Sequence, residues 1–482
     1  MTQSTLNSDK AVQYQQSRMA HWNAIAQRPA AWRNWGRYYR RRLTEVYRFL
    51  VAPGQRVLEI GCAWGDLLEA LQPAVGVGVD FSSEMIQRAQ QRHPALQFIQ
   101  ADAHTLELDG QFDVIILSDL INDAWDVQAI FERLALVCTP HTRVIINTYS
   151  RLWEPMLSVA ERLRLARPVL HQNWLTVHDV KGLLSLAGFE TIRHWQEVLW
   201  PFDTPLLRGF FNRILAHVWP FRHLGLTNFI LARPKPFGLT QRELPSVSVI
   251  IPARNEAGNI RQVFARMPRL GRETELVFVE GHSRDNTYEV IEEAITAQSD
   301  WKCQLWRQTG IGKGDAVRMG FAHATGEILM ILDADLTVPP EDLPRYYQVL
   351  RSGQGEFVNG VRLVYPMEGE AMRFANLVGN KFFSWAFSAL LGQSVKDTLC
   401  GTKVLWQRDY QLIAANRSYF GDFDPFGDFD LLFGAAKLNM KIVDLPIRYR
   451  ERTYGTTNIQ RWKHGWLLLK MVWFALWRMK FV

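Results

Sequence analysis

Short apolar runs separated by longer amphipathic stretches recur twice along the chain. The first series is Val57-Leu58-Glu59-Ile60, Val75-Gly76-Val77-Gly78-Val79-Asp80, residues 112–117 and residues 143–147. Each is short, nearly continuous in its apolar character, and bounded by glycine or acid, as buried parallel strands are. Alternation with helical stretches predicts a doubly wound α/β domain. The pattern breaks at Arg233-Pro234-Lys235-Pro236-Phe237-Gly238 and restarts with residues 247–252, 276–280 and 328–332, so a Pro/Gly seam near 233–244 separates two such domains, at 1–235 and 245–465. No internal repeat is evident. Residues 466–482 read differently: on a helix, Trp462, Trp466, Trp473 and Trp477 share one stripe, with Lys463 and Lys470 beside it. That composition predicts an amphipathic helix lying at a membrane interface.

Composition narrows the picture. A 482-residue chain with 48% hydrophobic residues can bury two cores. Its four cysteines, at 62, 138, 303 and 400, have no metal-ligand spacing and no disulfide density. The polar start, residues 1–10, is expected not to be a secretory signal. A net charge of +7 suits anionic partners, and 18 tryptophans beside basic residues suit a membrane surface. No run reaches the roughly 18 apolar residues of a spanning helix. The expectation is a cytoplasmic protein, peripheral on the cytoplasmic face of a membrane. The basic run Arg37-Tyr38-Tyr39-Arg40-Arg41-Arg42 reads as a solvated helix face. No zinc finger or RNP-like motif points to nucleic acid, which is not expected as a partner. Two more basic or apolar stretches, 206–215 and 382–387, are expected to pack on their own domains.

In the first half, Val57-Leu58-Glu59-Ile60-Gly61-Cys62-Ala63-Trp64-Gly65-Asp66 is a strand, a glycine turn and a helix start. Glycine lets the backbone approach a ligand closely. Asp80, about twenty residues on, ends the second strand, where an acid can hold ribose hydroxyls. The dinucleotide fingerprint G-x-G-x-x-G fails at Ala63 and Asp66. An acid inside the first strand, Glu59, suits a cationic or amine-bearing ligand better than a pyrophosphate. These pieces, with Gly78-Val79-Asp80-Phe81-Ser82, Gln100-Ala101-Asp102-Ala103 and Phe112-Asp113-Val114-Ile115, resemble the class I S-adenosylmethionine-dependent methyltransferases over residues 20–232. The resemblance implies a Rossmann-like domain. Glu59, Gly61 and Gly65 would line the methionine part, Asp80 the ribose, Asp102 the adenine, and Ser118 the transferred methyl. Asp119, Asn122, Asp123 and His171 are candidates for the acceptor side. Trp64 departs from the small residue usual at its position and would narrow the site.

The second half carries an ordered set of polar turns, each ordinary alone. Pro252-Ala253-Arg254-Asn255-Glu256 follows its first strand and Glu280-Gly281-His282-Ser283-Arg284-Asp285 its second. Gly310-Ile311-Gly312-Lys313-Gly314-Asp315 puts a lysine among glycines, which suits a diphosphate although it is no Walker loop. Asp333-Ala334-Asp335 ends the next strand, where two acids can face one ligand. Order and spacing resemble glycosyltransferase family 2, nearest the dolichyl- or polyprenyl-phosphate sugar synthases, over residues 245–465. The resemblance implies a GT-A fold and inverting transfer from a nucleoside-diphosphate sugar with Mg²⁺ or Mn²⁺. Glu256 and Glu280 would face the nucleoside, Lys313 the diphosphate, Asp333 the ribose or sugar, and Asp335 the metal. Asp397-Thr398-Leu399-Cys400-Gly401, Phe426-Gly427-Asp428-Phe429-Asp430 and Arg452-Thr453-Tyr454-Gly455 resemble acceptor-side motifs. Glu280-Gly281 stands where many members carry two aspartates. Asp428 or Asp430 would serve as base for a sugar hydroxyl, and Arg448, Arg450 and Arg452 would clamp an anionic acceptor or the leaving diphosphate. Together the halves predict a bifunctional enzyme that glycosylates a polyprenyl-phosphate or glycolipid acceptor and methylates a related molecule. The alternative is a glycosyltransferase with a non-catalytic methyltransferase-like binding module.

Overall fold

A computed structural model describes residues 3–27, 36–162, 170, 172–236, 244–362, 374–419, 428–447, 454 and 461–480. Two compact units emerge, Met1–Lys235 together with Lys480–Val482, and Pro236–Met479.

The first unit is built on β1 (Arg56–Ile60), β2 (Val75–Asp80), β3 (Gln97–Gln100), β4 (Phe112–Ser118), β5 (Cys138–Tyr149), β6 (Phe189–Glu197) and β7 (Thr227–Pro234). They form a sheet in the order 3-2-1-4-5-7-6. β1 to β5 pair in parallel. β7 lies antiparallel to both its neighbours, β5 and β6. Successive strand residues feed opposite layers: Leu58, Ile60, Ile115 and Leu117 join one core, Val57, Val114, Ile116 and Ile145 the other. A sheet covered on both faces explains why these strands are apolar at consecutive positions. The pattern revealed β1, β2 and β4 and the centre of β5. It did not reveal β3 or the β6–β7 pair, whose residues are mixed in burial or partly polar.

The basic run 37–42 opens the helix Arg37–Leu50, and it is not a simple solvated face. Helical spacing turns Tyr38, Tyr39, Arg42 and Leu43 inward. Arg42 is buried against Glu197 at 3.1 Å and also reaches Glu45 at 3.3 Å. Glu197→Ala would take away the buried carboxylate beside the guanidinium and leave the half-exposed Glu45 at 3.3 Å. Breaking a buried pair usually costs a few kcal/mol, and the remaining partner softens that, so the expected loss is about 2 kcal/mol of unfolding free energy in a denaturant titration.

The second unit contains β8 (Val247–Ala253), β9 (Thr274–Glu280), β10 (Lys302–Arg307), β11 (Ile328–Ile331), β12 (Phe357–Val361), β13 (Lys403–Trp406) and β14 (Ile442–Pro446). Their order is 10-9-8-11-13-12-14. β13 runs against β11 and β12, and the other recorded pairings are parallel. Both units are therefore mixed α/β sheets, each with one reversed strand among those described, rather than purely parallel ones. Strand direction leaves no trace in hydrophobic spacing, which is why the pattern alone did not distinguish them.

The C-terminal helix begins at Arg461 and runs to Ala475, followed by a π-helical turn at Leu476–Lys480. Leu468, Met471 and Ala475 are buried in the unit's core. Trp466, Trp473 and Trp477 are exposed on the other side. The stretch 382–387 divides likewise: Phe383 and Phe387 are buried, Phe382 and Trp385 exposed. No helix among the described residues is long and apolar enough to cross a membrane.

Candidate functional sites

In the first unit the predicted donor residues converge at the carboxyl ends of β1, β2 and β4. The turn after β1 is left-handed at Gly61, Ala63 and Gly65. Gly65 has no room for a side chain, since a Cβ there would lie 2.5 Å from the Phe98 ring. Asp80 ties this turn to its own strand. One carboxylate oxygen accepts from Ala63 N–H at 3.0 Å and the other from Ser82 N–H at 2.9 Å. Burial raises the Asp80 carboxyl to about 6 against those two donors. Glu59 is buried more deeply. Burial pushes it up to about 8, a Leu68 N–H opposes the rise, and the nearby Asp80 adds to it. Its Oε2 has no hydrogen-bond partner among the described residues. An unsatisfied buried carboxylate oxygen is costly, and a ligand bringing an amine or positive charge would satisfy it.

Asp102 follows β3. Its Oδ1 accepts from the His104 N–H at 2.8 Å and contacts the His104 ring at 2.6 Å. Burial works against the charge, yet the His104 contacts hold Asp102 below the usual carboxylate range. Ser118 ends β4 opposite Asn147 of β5. The next residue, Asp119, is the more elaborate group. It takes a left-handed backbone. Its carboxylate receives Tyr39 Oη at 3.1 Å and Asn147 Nδ2 at 2.6 Å. Burial raises Asp119 to about 7, the Tyr39 bond opposing and the Asp123 charge adding. Neither Tyr39, placed on a solvated helix face, nor Asn147, placed in a strand, stood among the candidate site residues; the helical contact that brings Tyr39 to Asp119 spans 80 residues and leaves no motif. The helix Gln3–Ala26 reaches the same region. Arg18 pairs with Asp123, Trp22 Nε1 donates to Asp123 at 3.1 Å, and Ser82 Oγ donates to Asn23. Trp22, Ala63 and Trp64 all pack against a small core of Ile25, Ala26 and Met85, which gives the tryptophan that departs from the usual turn a packing role. His171 lies outside the described residues.

In the second unit the corresponding edge holds Glu256, Glu280, Asp333 and Asp335. Glu256 receives Asn259 Nδ2 at 2.7 Å, and Glu280 the Ser283 N–H at 2.5 Å. Lys313 is the first residue of the helix Lys313–His323, which follows Gly312 at φ 93°. The helix start offers N–H groups and a favourable dipole to an anion. Asp315 shapes the loop by accepting from Gly310 N–H and Gln308 Nε2, both at 3.0 Å. Lys313 Nζ stands 2.5 Å from Asp333 Oδ1. Gly401 closes over this pair, and any Cβ there would collide with Lys313 Nζ and the Asp333 carboxylate. The Asp397–Gly401 motif thus reaches the aspartate triplet, although Asp397 itself is turned away, held bidentately by Arg362 at 2.7 and 2.9 Å. Asp335 Oδ1 accepts from the Thr337 hydroxyl at 2.8 Å and N–H at 3.1 Å, which fixes its orientation.

Among the described residues, no group of three or more His, Cys, Asp or Glu side chains gathers as a metal site. A single oriented carboxylate at Asp335 nonetheless fits a hard divalent cation whose other ligands are diphosphate oxygens and water. Asp430 is buried and accepts from Arg417 Nε at 2.8 Å. The side chain of Asp428 and residues Arg448, Arg450 and Arg452 lie outside the described residues. Tyr454 is described, and its ring lies close over Gly258, two residues beyond Glu256. Among the described residues, five non-glycine positions with positive φ (Ala63, Asp119, Asn255, His282 and Leu336) sit just past the carboxyl ends of β1, β4, β8, β9 and β11. Such strained backbone concentrates at ligand sites.

Residues 35–194 match the family model for a methyltransferase domain, and residues 248–410 that for glycosyl transferase family 2. A curated relative is undecaprenyl-phosphate 4-deoxy-4-formamido-L-arabinose transferase of Klebsiella pneumoniae. It is 32% identical over 223 residues, 45% of this chain and 63% of the relative, so the chain spans less than two thirds of that protein. Similar solved structures include the complex of the Haloferax volcanii Trm112 methyltransferase activator with a methyltransferase (18% identity, 44% of this chain and 97% of that one, TM-score 0.35). Another is glucosyl-3-phosphoglycerate synthase of Mycobacterium tuberculosis (20% identity, 49% and 80%, TM-score 0.36).

Proposed function

We propose that this chain, which joins a methyltransferase domain to a family 2 glycosyl transferase domain, is a bifunctional enzyme of a lipid-linked or envelope glycan. Its second unit transfers a sugar, with inversion, from a nucleoside-diphosphate sugar to a polyprenyl phosphate or membrane-held acceptor. Its first unit methylates that product or a precursor, using S-adenosylmethionine. The protein works peripherally on the cytoplasmic face of the membrane. The observation that carries the reading is the Lys313–Asp333 pair beneath Gly401, beside the oriented Asp335.

Sugar transfer leaves negative charge on the departing diphosphate. Lys313 meets that charge at a helix start, moving from Asp333 to the phosphates and freeing Asp333 for donor hydroxyls. Asp335 holds the divalent cation in this reading, and when bound the cation neutralises further charge on the leaving group. Glu256 and Glu280 hold the nucleoside end. A phosphate acceptor is already ionised at neutral pH and needs no base. The engagement of Asp430 by Arg417 supports such an acceptor, as does the undecaprenyl phosphate in the name of the Klebsiella relative. The exposed Trp466, Trp473 and Trp477 suit a membrane surface.

In the first unit, the unsatisfied Glu59 Oε2 supports a bound donor over an empty scaffold. It also sets a pH dependence. Near pH 7 Glu59 carries a proton, because burial lifts it to about 8. A cationic ligand favours the carboxylate, so binding expels the proton. Asp80, at about 6, accepts ribose hydroxyls best when ionised. Affinity for S-adenosylmethionine should therefore rise between pH 6 and 8. Calorimetry near pH 7 in buffers of different ionisation enthalpy should report net proton release; affinity that falls over this range would refute the assignment.

The whole reading is tested by incubating the full chain with undecaprenyl phosphate, UDP- and GDP-sugars, Mg²⁺ and S-adenosylmethionine, then analysing the lipid fraction by mass spectrometry. A sugar increment and a methyl increment are expected. No sugar increment with any donor sinks the glycosyl transfer, and no binding of S-adenosylmethionine sinks the methyl transfer.

A further inference from the structure

Between β6 and β7 the first unit carries a 29-residue excursion, Val198–Leu226, closed at its base by a Leu226 N–H bond to the Val198 carbonyl at 2.8 Å. Its polarity is inverted. The polar Asn212 is fully buried, donating to Tyr38 Oη at 2.9 Å and to the Trp200 carbonyl at 2.7 Å, while accepting from Trp200 N–H at 2.8 Å. Its apolar neighbours face out: Phe210 and Ile214 are exposed, Leu206 is 90% exposed and Trp219 72%. This overturns the expectation that residues 206–215 pack on their own domain. A segment stapled by a buried amide, with large apolar side chains displayed on purpose-built turns, is a surface for something apolar.

The charges say what that something is. The excursion has one acid, Asp203, which is engaged by Arg41 and Arg208. Arg213 and Arg222 are exposed among the apolar groups. Exposed Trp, Phe and Leu interspersed with Arg match the interfacial zone of an anionic bilayer, where rings enter the acyl boundary and guanidinium groups meet phosphates.

Its position adds a purpose. Glu197 of β6 pairs with Thr227 of β7, which pairs with Tyr149 of β5. The excursion therefore leaves the sheet at the edge where β5 ends and where Asp119 follows β4. Two consecutive tyrosines join surface to site: Tyr38 holds Asn212 and Tyr39 holds Asp119. We infer that residues 198–226 form a docking surface for an anionic lipid bilayer, which presents the methyl acceptor to the first unit from the lipid side. This rests on the proposed function only in taking the methyl acceptor to be lipid-borne.

The test is sedimentation of the full chain with vesicles of phosphatidylcholine alone or mixed with phosphatidylglycerol. The variant Leu206→Asp/Phe210→Asp/Trp219→Asp changes only exposed positions, and its melting curve checks the fold. It should bind mixed vesicles at least about tenfold more weakly than the parent, because three side chains lose their lipid contacts. Arg213→Gln/Arg222→Gln should lose the preference for phosphatidylglycerol. A companion variant, Trp466→Asp/Trp473→Asp/Trp477→Asp, reports on the C-terminal helix. If only the companion loses binding, the membrane part of the proposed function stands and this inference falls. If the parent is a dimer that the first variant converts to monomers with vesicle binding unchanged, the face joins two copies and the inference is equally overturned. Vesicle binding lost in the first variant by a chain that transfers neither sugar nor methyl would uphold the surface while the proposed function failed.

Discussion

Asp335→Asn should lower the rate of sugar transfer to polyprenyl phosphate by about a thousandfold or more, the scale seen when a group that stabilises transition-state charge is removed. The substitution is informative because of what it spares. Asp335 Oδ1 accepts from both Thr337 groups, and the asparagine oxygen keeps those bonds. The turn at Leu336 should therefore survive, with melting temperature little changed. What is lost is one negative charge at the carboxyl end of β11, and with it the hold on a cation that Asp333, engaged with donor hydroxyls in the proposed reaction, does not replace. Initial rates across a Mg²⁺ titration decide the matter. A variant that keeps the parental rate at every concentration would remove Asp335 from the mechanism.

Asp80→Ala should weaken S-adenosylmethionine binding by at least about a hundredfold. Hydrogen bonds to a charged group contribute about 1.5–3 kcal/mol each, and two ribose hydroxyls are at stake. The carboxylate also anchors Ala63 and Ser82, so the glycine turn loosens as well. Asp80→Asn separates these effects, since its oxygen still receives one backbone N–H. Isothermal titration should rank parent, asparagine and alanine in that order. Equal affinities in all three would remove Asp80 from the donor site.

The candidate methyl- and sugar-donor residues could be picked out because each set lies on short strand–turn segments. Glu59, Gly61, Gly65 and Asp80 sit within two strand ends, and Lys313, Asp333 and Asp335 within two turns, so local spacing carries them. The surroundings were less legible. Tyr39 and Asn147 reach Asp119 only because distant elements pack there. Asp397 resembles an acceptor residue in its motif, yet Arg362, 35 positions away, claims its carboxylate. Arg42 looked like part of a solvated run until Glu197 closed on it across 155 residues.

By itself the sequence determined where strands and turns fall, which turns carry acids, glycines and lysine, and that two different donor motif sets share one chain. These are local properties: side-chain period, φ freedom and spacing act over a few residues. Only the tertiary structure decided which strands run backwards, which acids are paired and which stand unsatisfied, and that the excursion at 198–226 turns its apolar side chains outward. Each of those depends on groups far apart in the chain meeting at bonding distance, and on which face a segment presents once its neighbours have packed. Hydrophobic spacing marks the residues that will seek cover; it does not say which of them find it.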